Sequence, residues 1–92
     1  MSWLISFDPA KRDKTLAERG LDFARAGEIF TEKHLTKRDD RSDYGEERFI
    51  TIGLMDNRTV VLAWTPRGHT RRIISMRKAN ERESKRASPY LG

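Results

Sequence analysis

Between Arg48 and Met76 lie three runs of β-forming residues, "RFITIGL", "TVVLAWT" and "TRRIISM", separated only by short turn-forming pieces. Nothing else in the chain restricts the fold as strongly. β-branched and aromatic residues fit a pleated, half-buried surface. The gaps hold Asp56-Asn57 and "PRGH", residue types that reverse a chain within two to four positions. Runs joined so closely pair antiparallel, because parallel neighbours need a crossover of roughly a dozen residues or more. The first run alternates, with Ile50, Ile52 and Leu54 on one face. The second is nearly continuous in β-formers and reads as a central strand buried on much of both faces.

The segments before this meander are equally legible. "WLISF" predicts a short first strand. "DPAKRDKTLAERG" predicts a complete helix, with Asp8 as cap, Pro9 in the first helical position and Gly20 as a left-handed stop. "LDFARAGEIFTE" predicts a second helix capped by Asp22, with Phe23, Ala26, Gly27 and Phe30 as one apolar stripe against a sheet. "KHLTKR" (33–38) reads as an edge strand, "DDRSDYGEE" as a loop, and "RKANERESKRAS" as a polar tail, helical up to Pro89. The expected fold is a single α+β domain over residues 1–92, with its core at about 3–87. It consists of an N-terminal strand and two helices, an antiparallel β-meander and a C-terminal helix. Two helices cover one face of the sheet and leave the other partly open.

A chain of 92 residues buries only about 60% of the surface its unfolded form exposes, so the core is thin and a partner that covers apolar surface matters. The 19 Lys and Arg residues exceed the 14 Asp and Glu, giving a net charge of +5. That excess favours nucleic acid, an acidic protein or an anionic lipid surface, and it also serves plain solubility. Without cysteine the chain has no disulfide, thiolate nucleophile or Cys-based zinc site. With His34 and His69 as its only histidines, a His-rich metal site is not expected. "GLMDNRTV" lacks the spacing of a phosphate-binding glycine loop. "MSWLISF" is too short for a signal sequence, and no apolar run spans a membrane, so the reading is a soluble cytoplasmic protein that meets no membrane.

Charge gathers on the last strand and the turn before it. Strict alternation sends Arg71, Ile73, Ser75 and Arg77 one way and Arg72, Ile74 and Met76 the other. With the helices over Ile74 and Met76, the open face presents Arg71, Ser75 and Arg77, and Arg67 and His69 reach over the same edge. Guanidinium groups grip phosphate in a bidentate fork and stay charged; a histidine exchanges protons near neutrality. The same inventory serves metal-free RNA cleavage, which deprotonates the 2′-hydroxyl, stabilises the pentavalent phosphate and protonates the leaving oxygen. Arginines on strand edges also solubilise and block edge pairing. Glu46-Glu47-Arg48 reads either as a carboxylate base beside a cation or as an ordinary surface ion pair. Trp3, Phe49 and Trp64 can stack on bases, although such strand positions usually belong to a core.

The segments "FDPAK", "RGLDFARAGEIF", "GEERFITIG" and "RIISMRKANERE" follow one another in an order and spacing that resembles the BrnT family of type II toxins, from about Ile5 to Arg86. The resemblance implies a RelE-like fold and a ribonuclease that cuts RNA and slows growth. It implies a BrnA-like antitoxin carrying a ribbon-helix-helix module, which touches operator DNA and represses the operon in a complex of two toxins and two antitoxins. The matching positions are Glu46, Glu47 and Arg48 in "GEER", Gly53, Arg72 and Ser75 in "RIIS", then Arg77, Ala79 and Glu81-Arg82-Glu83. Carried over, the resemblance puts Arg48, Arg72 and Arg77 on the scissile phosphate, with Glu47 or His69 moving protons. Arg67, Arg71, Ser75 and Lys78 bind the RNA, and no cofactor is expected. The turn often written "ERG" in the family stands here as "TPRGH", which sets His69 apart. Two other readings fit the same residues: a non-catalytic nucleic-acid-binding corepressor, and a basic face that only meets an acidic antitoxin.

Overall fold

A computed structural model describes residues 3–91. The chain runs through β1 (Leu4–Phe7), α1 (Pro9–Arg19), a 3-10 turn (Phe23–Arg25), α2 (Ala26–Thr31) and β2 (His34–Arg38). It continues through β3 (Phe49–Met55), β4 (Arg58–Arg67), β5 (Thr70–Lys78) and α3 (Glu81–Leu91). The five strands make one mixed sheet in the order β1-β5-β4-β3-β2. β2 to β5 pair antiparallel in sequence, as the short connections require, and β1 adds parallel to β5. The β3–β4 hairpin closes on Asp56 and Asn57, at φ 52° and 63°, the doubly left-handed geometry whose twist matches a two-residue hairpin.

Local signals set the first helix. Asp8 accepts the Ala10 N–H, Pro9 opens α1, and Gly20 ends it at φ 68°. The second helical segment departs from expectation. Asp22 caps a 3-10 turn, closed by the Arg25 N–H on the Asp22 carbonyl, and α2 begins only at Ala26. Such tightening is common where a helix starts. Arg12 fixes the junction from α1 by gripping both Asp22 carboxylate oxygens, at 2.8 and 3.2 Å.

The 3-10 turn and α2 lie on the first face of the sheet, and α1, which buries no residue, packs against the 3-10 turn. There Leu21, Phe23, Ala26 and Ile29 meet Met55, Val60, Leu62, Trp64, Ile73 and Met76 in one buried cluster. Each large side chain so buried contributes about 1.5–3 kcal/mol. The Trp64 indole N–H donates to the buried Thr51 hydroxyl at 2.8 Å, so this core aromatic carries no orphan donor. Gly53 lets α2 approach: a Cβ there would stand 2.5 Å from Ile29 Cγ2.

Two features differ from the sequence reading. β5 does not alternate strictly. Ser75 pairs with Ala63 and Ile73 with Trp64, which leaves Ile74 as an extra, bulged residue. Hence Ile73 and Met76 both enter the same core. Arg71 goes to the helix-covered face, and it is Arg72, with Ser75 and Arg77, that lies on the second face. The polar tail, moreover, does not stop at Pro89. α3 lies over β2 and β3, buries Ala87 and Leu91, and runs on to Leu91. Burial at both positions holds the last turn, where proline removes a single hydrogen bond. No helix among the described residues is long and apolar enough to cross a membrane.

Candidate active site

At one corner of the second face the strands bring cations together from three directions. Thr65 on β4 pairs with Arg72 on β5. Phe49 pairs with Trp64, so Arg48, one residue earlier, flanks Thr65 from the other side. Thr65 is 2% exposed and donates its hydroxyl to the Glu47 carbonyl at 2.6 Å. That bond pins the 46–48 segment to the central strand. The Glu46 carboxylate then sits between two arginines, 3.3 Å from Arg67 Nη2 and 3.7 Å from Arg48 Nε.

Arg48 is held by packing more than by hydrogen bonds. Its guanidinium lies over the Tyr44 ring at 4.0 Å, a favourable cation–π geometry, and its buried Nε has no hydrogen-bond partner among the described residues. Tyr44 in turn donates to Asp39 at 3.2 Å. Arg41 grips the Asp39 carboxylate at 2.8 and 2.9 Å, and this, with smaller help from Tyr44, holds its pKa down to about 2. The support beneath Arg48 is thus a fixed anion and a ring, both anchored.

The other residues singled out from the sequence spread over the molecule. His69 is exposed in the two-residue β4–β5 loop at the same end, and its backbone carbonyl accepts the Leu4 N–H at 2.8 Å. The Glu47 side chain is exposed; the contact of this residue is through its backbone. Ser75 is exposed farther along the second face, opposite Ala63. Arg71 lies beneath three rings on the first face, 4.6 Å from Trp3, 3.8 Å from Phe30 and 5.1 Å from Trp64. Burial lowers its pKa, although a guanidinium stays charged at any working pH.

Arg77 and Lys78 stand at the far end of β5. Arg72 and Arg77 lie opposite Thr65 and Val61, across the bulge, so at about 3.3 Å per residue Arg77 is about 13 Å along the strand from Arg72. It forms a bidentate pair with Glu83 at 2.7 and 2.8 Å. Glu83 also accepts the Asn80 N–H at 2.9 Å, while the Asn80 side chain accepts the Glu83 N–H at 2.8 Å. This reciprocal capping box starts α3. Arg77 first, then Asn80, pull the Glu83 pKa down to about 2. Lys78 shares the first face with its partner Val60.

Sequence reasoning placed Glu46 in the Glu46-Glu47-Arg48 cluster but gave the proton role to Glu47 or His69, and it passed over Tyr44 and Thr65 as parts of this corner. A signal existed for Glu46, which stands two residues before Arg48 and directly after Gly45, where the chain bends at φ 72°. Thr65 and Tyr44 carry no local signal, because their partners are 18 and 5 residues away. Among the described residues no group of three or more His, Cys, Asp and Glu side chains is placed to hold a metal ion.

Fold and corner together define a small, basic α+β protein that gathers guanidinium groups, with carboxylates among them, at one corner of its sheet. The chain belongs to the family described as ribonuclease toxin, BrnT, of type II toxin-antitoxin system, whose model matches residues 7–83. It is thereby a ribonuclease toxin, with RNA as its target and a protein antitoxin as its partner. A comparison with curated proteins finds no significant match.

Proposed function

We propose that this toxin cuts RNA internally, without a metal ion, at the corner formed by Glu46, Glu47, Arg48, Arg67 and Arg72. The observation that carries the reading is the Glu46 carboxylate held between Arg48 and Arg67, with Arg72 across Thr65 on the same face. A carboxylate takes the proton of the 2′-hydroxyl, whose oxygen attacks the adjacent phosphorus. The new O2′–P bond forms as the P–O5′ bond breaks, leaving a 2′,3′-cyclic phosphate and a 5′-hydroxyl end. Arg48, Arg67 and Arg72 offset the charge that builds on the phosphoryl oxygens, the largest single contribution in such reactions. Glu46, on the face of the arginines, is the base; Glu47 and His69, exposed at the same end, return a proton to the 5′-oxygen. Arg77, clamped by Glu83 and about 13 Å along the strand from Arg72, serves α3 rather than the phosphate.

The RelE-like assignment is supported by a helical N-terminal half packed on a mixed sheet whose later strands form a meander. A BrnA-like, ribbon-helix-helix antitoxin, assembled two-to-two with the toxin in the cytoplasm, completes the proposal. The test is incubation of antitoxin-free protein with labelled RNA in EDTA, beside Arg72→Ala and Glu46→Gln. Wild-type cleavage is expected to persist in EDTA and to fall about 10²–10³-fold in Arg72→Ala, the loss typical of one transition-state donor. Cleavage that needs added magnesium, or full activity in Arg72→Ala, overturns the mechanism. RNA binding without cleavage identifies a corepressor instead.

A further inference from the structure

We infer that the groove beside α3 on the second face is a docking site for an amphipathic helix of the antitoxin, with aliphatic anchors and acidic flanks. The groove has a volume of about 640 Å³. Its floor is aliphatic, formed by Leu35, Ile50, Ile52 and Val61, between the 38–41 segment on one side and α3 on the other. α3 covers only part of this face, and Leu35 remains 38% exposed. A sheet face that already receives one helix through small and aliphatic side chains is shaped to receive another beside it.

The chemistry of the walls selects the occupant. Among the described residues no aromatic side chain lines the groove, so it offers bases nothing to stack on, the usual support of a single strand. Asp39, Asp40 and Glu83 on its rim occupy the three arginines that would otherwise grip phosphate in a bidentate fork. Each of these carboxylates is already matched, by Arg41, Arg38 and Arg77 respectively. Lys37 and Arg86 are left over, with no ion-pair partner among the described residues. Two unmatched cations beside an aliphatic floor complement a segment whose apolar stripe is flanked by carboxylates. A second copy of this chain is disfavoured, because it brings a further +5 to a rim that is already positive.

The site also adjoins the catalytic corner. Asp39 forms part of the groove wall, yet its backbone N–H pairs with the Arg48 carbonyl at 2.8 Å and its carboxylate takes the Tyr44 hydroxyl. A helix seated in the groove thus lies against the segment that supports Arg48. Docking here rests on membership of a toxin-antitoxin family and stands whether or not the mechanism proposed above is right.

The experiment uses the toxin co-expressed and purified with its antitoxin. Hydrogen exchange of the complex against the free toxin is expected to show protection over residues 35–38 and 50–52, with α1 unchanged. Lys37→Glu/Arg86→Glu alters only exposed side chains. It is expected to weaken antitoxin binding at least about tenfold while leaving cleavage by the free toxin unaltered. Ile52→Ala is expected to weaken binding with a smaller dependence on salt. An unchanged Kd in the charge-reversal variant, or protection confined to α1 or the β1 edge, overturns the assignment. So does a loss of RNA cleavage with antitoxin affinity intact, which would make the groove an RNA track.

Discussion

Replacing Glu83 with glutamine separates the two roles open to Arg77, structural clamp or phosphate ligand. The substitution keeps the shape and an acceptor for the Asn80 N–H but removes the charge that Arg77 meets at 2.7 and 2.8 Å. Hydrogen bonds to charged groups contribute about 1.5–3 kcal/mol. Here the Arg77 side chain is 46% exposed and Glu83 26%, so solvent screening lowers the figure to about 1–2 kcal/mol. In a domain of this size that is a fall in Tm of about 5–15 °C at pH 7. The effect has a pH signature. The Glu83 pKa is lowered from 4.5 to about 2 when folded, so its stabilisation is complete above pH 4.5 and disappears as pH falls toward 2. Thermal melts of wild type and Glu83→Gln should therefore differ most at neutral pH and converge near pH 2. Arg77→Ala should show the same loss of Tm while still cleaving RNA at a temperature where it is folded. Equal melting temperatures at pH 7, or a folded Arg77→Ala that no longer cleaves, would refute the clamp.

Two further outcomes follow from the packing. Gly53→Ala is expected to cost about 1–3 kcal/mol through overpacking, because its Cβ would stand 2.5 Å from Cγ2 of a stiff, fully buried Ile29. A denaturant cycle with Ile29→Ala should show the two changes to be less than additive, and strict additivity would mean that α2 simply shifts. Thr65→Val leaves the Glu47 carbonyl without its 2.6 Å donor and is expected to cost about 1 kcal/mol. Cleavage should fall more than folding, since the 46–48 segment is released. An unaltered kcat would separate that bond from the site.

The sequence spoke clearly wherever structure depends on near neighbours. The caps at Asp8 and Gly20, the Asp56-Asn57 hairpin and the doubly buried β4 all rest on residues within a few positions of one another, and all are present. It spoke poorly wherever a single distant contact decides. Alternation could not show that Ile74 bulges, because the cause lies in the pairing with Ala63 and Trp64; with that went the facing of Arg71 and Arg72. The polar composition of α3 gave little sign that it would lie over β2 and β3, since only Ala87 and Leu91 are buried. Arg77 looked available because its clamp, Glu83, sits on another element, although the "NERE" stretch did carry the spacing of a capping box.

The bulged residue of β5 bears on how such a strand can change length over time. Remove Ile74 and every remaining side chain keeps its face: Arg71, Ile73 and Met76 inward, Arg72, Ser75 and Arg77 outward. Remove any of its neighbours instead and the loose residue must be drawn back into the ladder, or half the strand turns over. Position 74 is thus a splice point, where a lineage can gain or lose one codon and still deliver the same arginine to the same ligand.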